Sequence, residues 1–185
     1  MRNFVLGVVI TLAVLILGGL AFLALGFFPT NADAKPGSME TRIANSAMDA
    51  SMEKRAPRSS SPLPATDDNL MDGMKLYTMN CSVCHGTLDM KPSPLEHSLY
   101  PPPPQLVLAP LDDPEWHINY AIRTGVRYTG MPAWKGTLSD DDIWKLTLFL
   151  ARVEKLPPGV QDYWKKSFGA VPQSGRLGGG EKDRD

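Results

Sequence analysis

Three residues within five positions offer the clearest chemistry: Cys81, Cys84 and His85, in the run Cys81-Ser-Val-Cys-His85. Residues i, i+3 and i+4 share one face of a helical turn. Two thiols on that face can add to the two vinyl groups of a haem while the following imidazole comes up beneath the iron. This spacing is the attachment pattern of c-type haem. Other uses of the pair fit less well. A thioredoxin-like redox pair needs a βαβ pattern around it, and the neighbouring sequence has none. A zinc site needs two further ligands, yet His97 and His117 lie 20 positions apart, where a spacing of about 3–5 is usual. A disulfide across the pair leaves His85 without a role. With only two cysteines in 185 residues, a disulfide scaffold is excluded.

A second ligand for the iron is offered by Met131, in Thr129-Gly-Met-Pro-Ala-Trp134, 46 positions after His85. Pro132 keeps Met131 out of a helix and in extended backbone. A thioether on such a loop can reach the distal side of the metal, and Met/His ligation raises the potential in cytochromes c. His97, His117 and an open position are the alternatives. His97 sits in a proline-rich loop and His117 on the flank of a helical segment. One of nine methionines can also be plain core filler.

These residues need elements to hold them. Helix starts are marked by Thr66-Asp-Asp68, Asp113-Pro-Glu115 and Ser139-Asp-Asp-Asp142. Leu70, Met74, Tyr77 and Cys81 recur at helical spacing, as do Ile118, Ala121 and Ile122, and Ile143, Leu146, Leu150 and Val153. Gly125 ends the second pattern and Pro157-Pro158 the third. No strand alternation appears, so the class expected is all-α, with three main helices over 66–157 around a covalent haem. Such a segment buries little apolar surface alone, and a large central cofactor relieves the shortage.

Ahead of this domain, the run 4–28, from Phe4 to Phe28, has no charged residue. As a helix it is about 37 Å long, enough to cross a bilayer. Ala32-Asp-Ala34 resembles a leader cleavage site, but the apolar core of a leader is only about 7–15 residues. The length favours an uncleaved anchor over residues 1–28. Arg2 then keeps the N-terminus cytoplasmic and places the rest in the periplasm, across a bacterial inner membrane. Residues 29–65 are rich in Ala, Ser and Pro and read as a tether spanning about 35 Å as a coil; the alternative is a short helix, since Met39, Ile43, Met48 and Met52 have partial helical spacing. Residues 158–185 read as a tail whose Tyr163, Trp164 and Phe168 pack on something and whose Gly-rich end is disordered. The net charge of −1 speaks against a nucleic-acid partner. The segment 66–157 carries eight basic and twelve acidic residues, net −4.

Together these pieces resemble the class I c-type cytochromes, most of all the small single-haem domains of respiratory oxidase and dehydrogenase complexes. The resemblance covers about half the chain. It runs from Gly73 and Tyr77 through Cys-Ser-Val-Cys-His-Gly86, a proline loop, Arg123-Thr-Gly125 and Gly130-Met-Pro-Ala-Trp134 to Leu138-Ser-Asp-Asp-Asp-Ile-Trp144. It implies that the first and last helices cross at Gly73, with Tyr77, Leu146 and Phe149 around it. It implies one haem c held by Cys81, Cys84, His85 and Met131, the last two on the iron. It implies that His85 donates its other ring N–H to a carbonyl among Pro101 to Pro104. Arg123 is then a candidate for a haem propionate, with Tyr128 and Trp134 beside it; the alternative for Arg123 is an exposed helix-end cation. The loop 87–100, with Pro92, Pro94 and His97, departs from the commoner Gly-rich form.

The function expected is that of a membrane-anchored electron carrier, not itself an enzyme, serving redox partners such as a membrane oxidase or dehydrogenase complex. Two other readings remain: a protein that binds a small gas at an open iron, or a subunit whose haem only stabilises an assembly.

Overall fold

The computed structural model describes residues 1–170, in two units divided after Ala32. The expectation for the Gly-rich end of the chain lies outside the described residues.

The first unit is one helix, α1 (Arg2–Ala24), none of whose residues is buried. It is long and apolar enough to be a candidate membrane span. It stops four residues short of Phe28. Leu25 is its C-cap, and Gly26 follows with φ of 75°, the left-handed conformation glycine tolerates.

Among the described residues the second unit has helices and no strand, and its nearest approach to a sheet is the isolated bridge Thr87–Lys91. Its helices are α2 (Ser38–Arg55), α3 (Asp67–Asn80), α4 (Ser82–His85), α5 (Glu115–Thr124), α6 (Asp140–Leu150) and α7 (Pro158–Phe168), with a 3-10 turn at Trp134–Gly136. Two starts follow the caps read in the sequence. Thr66 accepts from the Asn69 amide, and Ser139 accepts from that of Asp142. The third differs by one residue. Pro114 takes the cap position of α5, because the Asp113 carboxylate is engaged by the His117 ring at 2.7 Å.

The core is the crossing of α3 and α6. Leu70, Met74 and Tyr77 are fully buried against Ile143, Leu146 and Phe149. Gly73 permits the approach, since a Cβ there would meet the Lys145 carbonyl.

Two segments are more ordered than their composition implies. The stretch read as a tether contains α2. Met52 and Ala56 are buried, α2 contacts α5, and the Arg58 guanidinium lies 5.4 Å from the Trp116 ring centre. Residues 38–55 therefore do not behave as a coil, and the 35 Å estimate does not apply to them. The tail after Pro157 is likewise part of the core. Pro158 opens α7, Val160 and Trp164 are fully buried, and the Trp164 indole donates to the Leu88 carbonyl at 2.6 Å. Phe149 links the two ends of the domain: its ring lies 5.8 Å from those of both Tyr77 and Trp164.

Candidate haem-attachment site

Cys81 closes α3, and α4 follows at once, so the motif is wound into one short turn. The amides of Cys84 and His85 both donate to the Cys81 carbonyl. Cys81 and Cys84 are free thiols, Cys81 buried and Cys84 half-buried. Burial, with a smaller contribution from Cys84, pushes the Cys81 thiol up to about 12. It is therefore a neutral thiol in the polypeptide at neutral pH.

His85 is 9% exposed. Its Nδ1 lies 2.8 Å from the carbonyl oxygen of Pro104. A carbonyl only accepts, so Nδ1 carries the proton and Nε2 keeps its lone pair. Desolvation lowers the ring's pKa, against the opposing pull of the Pro104 bond, and so favours the neutral imidazole a metal needs. The proline loop thus supplies the expected acceptor, and Pro104 is the residue that does so.

The turn after the motif needs Gly86, whose φ is 88°. Around it the backbone is held by side chains that the sequence reading passed over. The Tyr77 hydroxyl lies 2.7 Å from the His85 carbonyl and 2.8 Å from that of Gly86. Ser93 donates to the Val83 carbonyl, and Gln105 donates to those of Cys84 and Pro103. The available signal was faint: Ser93 is a small polar residue between two prolines, and Gln105 sits between a proline run and Leu106-Val107.

The methionine loop is built by similar means. Gly125, with φ of 65°, lets the end of α5 lie against the 131–133 backbone, where a Cβ would come within 2.6 Å of Pro132. The Val126 amide donates to the Met131 carbonyl at 3.2 Å. The Thr129 hydroxyl donates to the Val126 carbonyl and accepts from the Met131 amide. Met131 is half-buried in this loop. Leu99 of the proline-rich loop approaches Gly130.

The remaining candidates fall elsewhere. Arg123 pairs with Asp140 at 2.6 Å, beside a cleft lined by Trp116, Tyr120 and Trp144. Trp134 opens the 3-10 turn and packs against the core, while Tyr128 is 90% exposed. His97 is exposed, and His117 is held by Asp113.

Two free thiols followed by a buried, neutral imidazole with one nitrogen engaged and the other available form a donor set that fits a thioether-bound haem. With the all-helical fold, this site resembles that of a c-type cytochrome domain. The family it matches is described as cytochrome c oxidase, cbb3-type, subunit III, over residues 68–150, a little under half of the chain. Among solved structures, a chain of the reducing HAO-like protein complex of Kuenenia stuttgartiensis is similar at 24% identity and a TM-score of 0.42. That match covers 54% of this chain and 52% of the other, so the chain spans about half the length of the solved relative. No curated protein matches the chain.

Proposed function

We propose that this protein is a membrane-anchored, single-haem cytochrome c that passes one electron at a time between redox proteins, as a carrier and not as an enzyme in its own right. The partners proposed are components of a membrane oxidase or dehydrogenase complex. Bound haem supplies an iron that alternates between ferrous and ferric states. Everything else in the reading belongs to the chain. Cys81 and Cys84 would hold the group through thioethers, and the turn from Cys81 into α4 sets their spacing. His85 offers Nε2 to the metal while Pro104 fixes the ring. Met131 offers a thioether from the loop after α5, and a soft sulfur favours the ferrous state. Keeping the same two ligands in both states limits rearrangement during transfer. The helix α1, which opens at Arg2, anchors the domain on the periplasmic side of the inner membrane.

The observation that carries the proposal is the 2.8 Å bond between His85 Nδ1 and Pro104 beside two free thiols. The test is made on full-length protein purified from membranes in detergent. Haem should stay on the polypeptide in a denaturing gel and leave it when Cys81 and Cys84 are both replaced by Ser. The reduced protein should bind carbon monoxide slowly and incompletely, and intact mass should include residues 1–34. Fast, complete carbon monoxide binding would favour a gas-binding role instead, and a mature start near Lys35 would remove the anchor.

A further inference from the structure

A helix leaves its last carbonyls without partners inside its own ladder. In α4 and the glycine after it, four successive carbonyls each have a partner outside that helix. Val83 accepts from the Ser93 hydroxyl at 2.5 Å and Cys84 from the Gln105 amide nitrogen at 3.3 Å. His85 accepts from the Leu106 amide at 3.0 Å, and the Tyr77 hydroxyl serves His85 and Gly86. Three of these partners, Ser93, Gln105 and Leu106, come from the loop between α4 and α5. Gln105 is the one that joins them.

Gln105 is 9% exposed and uses both ends of its amide. The oxygen accepts from the Ser93 amide at 2.7 Å. The nitrogen donates to the Cys84 carbonyl and, at 3.0 Å, to the carbonyl of Pro103. Its neighbours in sequence are the residues that hold His85: Pro104 accepts from the ring and Leu106 donates to the backbone. The side chain therefore fastens the peptide unit before Pro104 to the helix that carries the ring. Among the described residues, no other side-chain hydrogen bond ties the proline run to that helix by two donors from one group.

We propose that Gln105 is a positioning residue for the proximal ligand. By locking the 103–105 backbone against Cys84, it aims the Pro104 carbonyl at His85 Nδ1 and so sets how basic Nε2 is toward the iron. This rests on the reading of His85 as the haem ligand. An acceptor held firmly at Nδ1–H makes the imidazole a stronger donor, which favours ferric iron. Loosening the clasp should shift the balance toward ferrous iron.

The experiment uses full-length holoprotein carrying Gln105→Met, which keeps the length and shape of the side chain and removes its hydrogen bonds, and Ser93→Ala, which loosens the same loop but leaves both Gln105 donors in place. In the reduced protein, the His85 Nδ1 proton should move upfield and exchange with solvent several-fold faster in Gln105→Met. The midpoint potential should rise, and haem should stay covalently attached. Ser93→Ala should leave the proton and the potential at wild-type values. If Gln105→Met does not mature, Gln105→Asn withdraws the amide by one methylene and should give the same two shifts. An unmoved proton and potential in the Gln105 variant, or equal shifts in Ser93→Ala, would overturn the proposal. Wild-type protein without gel-stable haem would overturn the haem reading itself, so the two failures are distinguishable.

Discussion

A Cβ on Gly73 would stand 2.2 Å from the carbonyl oxygen of Lys145 and 2.9 Å from the Phe149 Cβ, so α3 and α6 meet backbone to backbone. The nearest atom is main chain and cannot swing aside. Gly73→Ala gains up to about 1 kcal/mol of helix propensity, but separating the helices costs more, as overpacking of about 1–3 kcal/mol does elsewhere. The variant should fold less stably by a net ~1–2 kcal/mol. Thermal unfolding of the holoprotein followed by circular dichroism reads this as a lower midpoint. A midpoint at or above wild type would mean that the helices separate at no cost.

The same crossing carries an acid-sensitive pair. Lys145, and then Lys75, hold the Asp72 carboxyl below its ordinary value of 3.8. A depressed carboxylate contributes stability that is fully present above the unfolded value and is lost as pH falls through the folded one. Asp72→Asn should therefore cost stability at pH 6, and the difference from wild type should vanish on acidification below about pH 4. With 42% of the Asp72 side chain exposed, the cost should be a fraction of a kcal/mol and should shrink in high salt. Urea unfolding at several pH values measures it. A constant difference from pH 6 to pH 3 would show that the pair does not contribute through its charge.

The motif, the Met131 loop and the three helices that position them were legible because each leaves a local mark: fixed spacing, a Gly-Met-Pro run, a capping residue before an apolar stripe. What was not legible depends on distant contacts. Trp164 reads as part of a tail until the Leu88 carbonyl, 76 positions earlier, is found to accept from it. Met52 and the C-cap Ala56 belong to the end of a weakly patterned helix, and their burial comes from folding against the domain. The pairing of Arg123 with Asp140, 17 positions on, is likewise a contact that spacing does not mark. Gln105 and Ser93 acquire their roles only when α4 presents carbonyls to them.

Trp164 offers a direct test of where the domain ends. Its indole is fully buried, next to Phe149, and supplies the partner of the Leu88 carbonyl. Trp164→Phe keeps much of the ring and loses the hydrogen bond, which should cost about 1–3 kcal/mol. Trp164→Ala should cost about 3–5 kcal/mol. Chain ending after Pro157 should mature poorly, because it uncovers Phe149 and Leu88 together. Wild-type stability in such a truncated chain would show that α7 is an appendage.

Met131 decides the character of the proposed centre. It sits on a loop whose shape is fixed by Gly125, Thr129 and Pro132, so removing its side chain should leave the backbone in place. Met131→Ala should keep covalent haem yet bind carbon monoxide readily when reduced, and should lose the weak near-infrared sulfur-to-iron band expected of the native ferric protein. Met131→His should remain six-coordinate and become harder to reduce, because imidazole stabilises ferric iron more than a thioether does. Of the rival ligands, His117 is bonded through Nδ1 to Asp113 at 2.7 Å, and His97 is exposed on the proline-rich loop. With Met131 as the ligand, His117→Ala and His97→Ala should leave the spectrum unchanged. If one of them alters it while Met131→Ala does not, the ligation is bis-histidine. Electron transfer would survive that result, but a high potential argued from the thioether would not.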